Sequence, residues 1–176
     1  MHDGGEKGCF VLAVLVGVVL TLGLLGFFGD VNADAIHITT PTSQKQPAST
    51  SYYKGLARQA AIEAGIPPDL FVRQINMESG FNPNAQSPAG AQGIAQFMPE
   101  TARGLGIDPW NPEAALKAAA QLMARYQARY GGDYAKALAA YNAGSGTLQS
   151  ALERCGLSWQ RCLPAETQHY IAVIMG

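Results

Sequence analysis

One glutamate in this chain stands where a side chain could do acid-base chemistry. Pro68 and Asp69 open a helix that Gly80 closes, and on it Phe71, Gln74, Ile75 and Glu78 share one face by the i, i+3, i+4, i+7 rule. A carboxylate therefore ends a largely apolar stripe. Burial disfavours its charged form, and the partial negative charge at the helix C-terminus acts in the same direction. Both effects raise the pKa toward neutral pH, where a general acid is useful. Next come Ser79-Gly80-Phe81-Asn82-Pro83 and then Ser87 through Pro99. This reads as a turn-rich loop followed by a short, polar-faced helix over Gln92 to Met98.

Other chemistries find little support. There is no His/Cys/carboxylate cluster at ligand spacing, no Gly-rich phosphate loop after a strand and no GxSxG, so no metal or cofactor is expected. The three histidines are dispersed, which leaves little room for a Ser-His or Cys-His pair. The other acidic residues with a local context, Glu100, Asp108, Glu113 and Glu166, fall at helix starts, where a carboxylate serves the helix dipole.

The elements that must position Glu78 are helical throughout. Leu56, Ala60, Ala61 and Ala64 give a helix stopped by Gly65 and Pro67-Pro68. The Glu78 helix and the loop follow, then a short turn from Pro99 that Gly104 and Gly106 end. Asn111-Pro112-Glu113 starts the next helix, with Asn as cap and Pro at the first helical position. Ala115, Ala119, Leu122, Met123, Tyr126 and Tyr130 line its inner face, and Gly131-Gly132 stop it. Asp133 caps a helix over Tyr134 to Asn142, broken at Ala143-Gly144-Ser145-Gly146, and another runs to about Arg154. Pro164-Ala165-Glu166-Thr167 begins the last, which carries Tyr170, Ile171 and Ile174. No strand and no internal repeat stands out, so the domain is expected to be all-α.

Four of these stretches, in this order, resemble the SLT-type lytic transglycosylases, lysozyme-like enzymes of the glycoside hydrolase family 23 kind that cleave peptidoglycan. They are Glu78-Ser79-Gly80-Phe81-Asn82-Pro83, Ser87 through Gln96, Ala140-Tyr141-Asn142-Ala143-Gly144 and Pro164 through Tyr170. The resemblance covers about Tyr52 to Gly176 and implies a lysozyme-like helical fold. It implies that Glu78 is the single catalytic acid/base and that Tyr141 is the tyrosine orienting it, with Asn142 beside it. Ser87 and Gln96 match positions lining the sugar sites, Met98 matches a residue beneath the sugars, and Glu166 matches a glutamate that contacts substrate in some members. One departure is Ile94-Ala95, in place of the commoner Leu-Met, which bears on the hydrophobic floor of the site.

A hydrolysing glycosidase usually needs two carboxylates across the bond. Here only Glu78 has a loop-and-cleft context, and one suffices if the sugar supplies the rest. The resemblance implies this: Glu78 acts first as acid, then as base on the muramoyl 6-hydroxyl, closing a 1,6-anhydro ring. Two alternatives stand beside it, a muramidase that lets water attack and a glycan-binding part of an envelope or virion assembly that does not cut.

Length and composition are consistent with one domain plus a tail or anchor. The chain has 176 residues, 48% hydrophobic and 14% charged. Its net charge of -1, with no basic run, argues against nucleic acid as a partner. After an N-terminal tail (1-9), residues 10-28 form an apolar or small-residue run long enough to span a bilayer core. Two readings stay open: a single-pass anchor, or a secretory signal cleaved at Ala33-Asp34-Ala35. Cys9 precedes this run, so it is no lipoprotein-type acceptor. Residues 29-51, rich in Thr, Ser, Pro and Gln toward their end, read as a linker ahead of a catalytic domain over 52-176.

Cys155 and Cys162 can close a small disulfide loop in an oxidising compartment, worth about 2.5 kcal/mol by the chain-entropy estimate; two free thiols are the other reading. The expectation is an extracytoplasmic monomer. It would be tethered or secreted, act on peptidoglycan glycan strands, and serve wall turnover, a secretion or conjugation machine, or a phage.

Overall fold

The computed structural model describes residues 49–176. The N-terminal tail, the apolar run 10-28 and the linker up to residue 48 lie outside the described residues. Within them the chain forms seven α-helices: α1 (Thr50–Ala64), α2 (Pro68–Ser79), α3 (Pro99–Leu105), α4 (Pro112–Arg129), α5 (Tyr134–Ala143), α6 (Ser145–Cys155) and α7 (Ala165–Met175). A short 3-10 helix, Gly156–Cys162, joins α6 to α7. No helix among the described residues is long and apolar enough to cross a membrane.

Most boundaries follow from local chemistry. Ser49 caps α1 by accepting from the Tyr52 amide, so the helix starts at Thr50, ahead of the expected domain start at Tyr52. Asn111 and Asp133 cap α4 and α5 through their side chains, accepting from the amides of Ala114 and Lys136. α3, expected as a short turn ended by Gly104 and Gly106, is a helix that runs through Gly104 and is capped at Gly106. At the end of α2, Gly80 adopts φ 60°, a left-handed cap that a side chain would strain. That cap stops the helix one turn after its last fully buried residue, Ile75, and leaves Glu78 at the helix mouth.

Burial follows the expected faces. Phe71, Gln74 and Ile75 on α2 are fully buried. α4 packs on α1 and α5, and the buried positions of these helices are mostly alanine: Ala57, Ala61, Ala115, Ala119, Ala120, Ala137, Ala139 and Ala140. Small side chains let helix axes approach closely, so the core is thin and dense there, with Met123, Leu116 and Leu138 filling the larger spaces. α7 packs against both α5 and α2. The three helices that carry three of the four sequence stretches are thereby brought together.

The fourth stretch departs from expectation. Gln92 to Met98 is not a helix. Gln92 and Phe97 exchange both backbone hydrogen bonds, at 2.9 and 3.0 Å, and Gln92 also bridges Gln86. The reason is local: Gly93 has φ 74° and Gln96 φ 50°, conformations that no α-helix contains, and Pro99 lacks the amide a continuing helix would need. Gly93 is required here on a second count, because an added Cβ would run into the carbonyl oxygen of Pro109.

Candidate active site

A cleft of about 630 Å³ opens at the C-terminal end of α2. Its walls are Met77 and Glu78 of α2, Ser87, Ala89, Ala91 and Gln96 to Met98 of the loop, Leu122 and Tyr126 of α4, Ala140 to Ala143 of α5, and Glu166, His169 and Tyr170 of α7. All seven residues singled out in the sequence as catalytic or substrate-binding lie on this cleft: Glu78, Ser87, Gln96, Met98, Tyr141, Asn142 and Glu166.

Glu78 is held by the far end of the chain. The Tyr170 hydroxyl, on α7, donates a hydrogen bond to Glu78 Oε1. Burial raises the Glu78 pKa from 4.5 to about 7; the Tyr170 hydrogen bond works against this by stabilising the carboxylate, and the charge of Glu166 adds to the rise. The Tyr170 phenol is itself pushed well above its ordinary value, by burial first and then by Glu78. It therefore remains a donor across the working pH range.

This alters the assignment of the orienting tyrosine. Tyr141, expected to orient Glu78, donates its hydrogen bond to the carbonyl oxygen of Ala95 at 2.8 Å. The reach of its side chain from α5 is taken up by the loop, while Tyr170 comes from the helix packed directly on α2. Tyr170 reads from sequence as a packing residue beside Ile171 and Ile174; the signal that could have found it is its i+4 spacing from Glu166, which puts both on one helical face. His169, one of the three dispersed histidines, and Tyr126, expected on the inner face of its helix, also line the cleft.

The loop is fixed by side chains that bond to its carbonyls. Ser79 donates to Ile94 O at 2.7 Å, Tyr141 to Ala95 O, and Gln96 Nε2 to Ala85 O and Gly93 O at 3.1 and 2.9 Å. Gln96 thus uses its amide nitrogen on its own loop, which leaves the amide oxygen to accept from a donor in the cleft. Ser87 accepts from the Ala91 amide at 3.0 Å. The Ile94 and Ala95 side chains are fully buried. Their departure from the usual Leu-Met is a matter of core packing, and the site uses their backbone oxygens. Met98, at 45% exposed, belongs to the cleft surface and not to the core.

Two further placements matter. Glu166, a helix-start residue that the resemblance also matches to a substrate-contacting glutamate, shares the cleft with Glu78, so a second carboxylate is present there. Thr167, at the start of α7, donates from its hydroxyl to Asn142 Oδ1 at 2.7 Å and ties α5 to α7. Among the described residues no group of three or more His, Cys, Asp or Glu could hold a metal ion. Cys155 and Cys162 are joined, with Cα atoms 6.4 Å apart, across the 3-10 turn that leads into α7.

Comparison with known proteins gives a consistent picture. A sequence model described as "Transglycosylase SLT domain" matches residues 55–157. The chain is similar to "Peptidoglycan transglycosylase gp16" of Escherichia phage T7, 40% identical over 106 residues, a match covering 56% of this chain and 8% of that protein. It is also similar to "Membrane-bound lytic murein transglycosylase D" of Escherichia coli (strain K12), 34% identical over 119 residues, 60% of this chain and 26% of that protein. The matches thus take in only a small part of each relative. In fold it resembles the 70 kDa soluble lytic transglycosylase SLT70 of Escherichia coli, with a TM-score of 0.63, 24% identity, and coverage of 70% of this chain and 23% of that one.

Proposed function

The chain belongs to the Transglycosylase SLT domain family, and from that membership we propose that it is a peptidoglycan lytic transglycosylase. It would cut the β-1,4 bond between N-acetylmuramic acid and N-acetylglucosamine without water. The observation that carries this reading is the Glu78 carboxyl, half-buried at the head of a cleft, hydrogen-bonded by Tyr170 and raised to about 7. Such a group is protonated often enough near neutral pH to be an acid and is basic enough, once ionised, to take a proton back.

In the first step Glu78 gives its proton to the bridging oxygen as the bond from muramoyl C1 to that oxygen breaks. The muramoyl acetamido oxygen stabilises the positive centre. Glu78, now a carboxylate, takes the proton of the muramoyl 6-hydroxyl while that oxygen bonds to C1. The product end is a 1,6-anhydro ring, and Glu78 returns to its starting state. Tyr170 keeps the carboxyl aimed through both steps and eases its ionisation in the first. Ser87, Gln96, Met98, Asn142 and Glu166 supply the sugar-facing surface, and Tyr141, also on the cleft, braces the loop through Ala95.

A hydrolytic reading has one observation in its favour: Glu166 lies in the same cleft and could serve a water molecule as base. The products decide between the two. Against a non-cutting glycan binder the test is Glu78→Gln, which is expected to abolish digestion of isolated cell walls while folding and glycan retention persist. Undiminished digestion by this variant contradicts the catalytic role.

The domain over 52-176 is proposed to act outside the cytoplasmic membrane, tethered through residues 10-28 or released by cleavage near Ala35. Sequencing the N-terminus of the mature protein separates these: Met1 supports the tether, Ile36 the release. Relatives named for a phage and for a membrane-bound murein enzyme support an envelope setting.

A further inference from the structure

Among the described residues, Asn142 and Thr167 form the one side-chain hydrogen bond between α5 and α7. Thr167 is 2% exposed, and its hydroxyl donates to Asn142 Oδ1 at 2.7 Å. Among the described residues neither side chain makes another hydrogen bond. Asn142 is half-buried and lines the cleft, whereas Thr167 does not reach it.

An asparagine amide has a donor end and an acceptor end, and a free amide can present either. Here the acceptor end is engaged by a buried hydroxyl, so the two N–H donors of Nδ2 are left for the cleft side. The charges there favour the same orientation, since Glu78 and Glu166 both face this cleft and a carbonyl oxygen beside them would be disfavoured. The glycan is rich in matching acceptors: acetamido carbonyls, hydroxyls and ring oxygens.

We propose that Thr167 is a positioning residue: by holding Oδ1 of Asn142 it fixes that amide with its NH₂ group toward the glycan, and so sets substrate affinity without touching substrate. The inference rests on the peptidoglycan reading above. It assigns Asn142 a donor role and Thr167 the task of enforcing it. A valine at 167 keeps the shape and removes the hydroxyl, whereas serine keeps the hydroxyl.

The test is steady-state cleavage of soluble peptidoglycan glycan chains by the full-length protein, with thermal unfolding measured alongside. Thr167→Val is expected to raise KM about tenfold, the factor that one hydrogen bond of ordinary net strength represents, with kcat nearly unchanged. Thr167→Ser restores the wild-type KM. In an Asn142→Ala background, Thr167→Val has no further effect on KM. Asn142→Asp, which keeps the acceptor that Thr167 needs but loses the NH₂ group, raises KM as much as Asn142→Ala does.

A Thr167→Val enzyme with wild-type KM overturns the proposal. So does an Asn142→Asp enzyme with wild-type KM, or a Thr167→Val effect that persists undiminished beside Asn142→Ala. These outcomes are distinct from failure of the catalytic reading, which shows as wild-type protein that does not cleave the glycan at all.

Discussion

In α4 and α5, which pack together, Ala115, Ala119, Ala120, Ala137, Ala139 and Ala140 are buried and bring no polar side-chain atom into the interior. In the loop from Ala85 to Met98, the carbonyls of Ala85, Gly93, Ile94 and Ala95 each accept a hydrogen bond from a side chain. The scaffold is held by dispersion and apolar burial, which depend on volume and hardly on direction. The loop is held by directional bonds between a few named partners, and its backbone takes conformations only those bonds and Gly93 sustain. Substitutions in the scaffold should therefore alter stability and leave chemistry alone, while substitutions at the cleft should do the reverse.

Glu78→Gln is the largest expected effect. It should lower kcat by about a thousandfold, within the range for removal of a general acid-base group, with no loss of stability. The stability sign can be worked out. The folded pKa of about 7 lies above the ordinary 4.5, so the folded protein holds an extra proton between those values and stability falls as pH rises through that window. Glutamine abolishes this dependence, so the variant should unfold at higher temperature than wild type above pH 7. A variant that loses both activity and stability would blur the contrast between cleft and scaffold.

Gly93→Ala comes next. It should destabilise by about 2–4 kcal/mol through backbone strain and the clash with Pro109, and denaturant titration together with cleavage assays should show both fold and activity reduced. Like the buried Ile94 and Ala95, it is a loop position that also behaves like scaffold. Ala119→Leu probes the scaffold itself: overpacking should cost about 1–3 kcal/mol, with the pH profile of the folded enzyme unchanged.

Tyr170→Phe should reduce kcat several-fold, about the loss of one hydrogen bond to an ionisable group. It should also move the alkaline limb of the pH profile upward, because the bond that favours the Glu78 carboxylate is gone. Glu166→Gln should move the same limb slightly downward by removing a negative charge near Glu78. Opposite shifts from two residues on one face of α7 would place both against Glu78; shifts of the same sign would contradict this electrostatic account.

The scaffold and the cleft also differed in how well the sequence revealed them. Helix starts at Pro68, Asn111 and Asp133, and the buried face of Phe71, Gln74 and Ile75, follow from capping and periodicity, which are local. The seven cleft residues were identifiable because they carry recognisable motifs. The loop over Gln92 to Met98 reads from sequence as a short, polar-faced helix, while the positive φ of Gly93 and Gln96 is enforced by contacts with Ala85 and Pro109 that are distant in sequence or specific to the fold. Tyr170 was missed for the same reason. The i+4 spacing from Glu166 puts Tyr170 on the cleft face but names no partner 92 residues earlier; the packing of α7 on α2 brings the two together. Glu166 looked like a dipole residue, and it does occupy the first turn of α7, yet that turn also borders the cleft.

The central claim is that one carboxyl, Glu78, closes an anhydro ring on the sugar and does not pass the bond to water. Digesting purified peptidoglycan with the wild-type protein in heavy-oxygen water, and weighing the released muropeptides, tests this directly. The account predicts 1,6-anhydro-muramoyl ends carrying no label from the solvent. Reducing ends one water heavier, with solvent oxygen at C1, would contradict it and favour a hydrolytic partnership of Glu78 with Glu166.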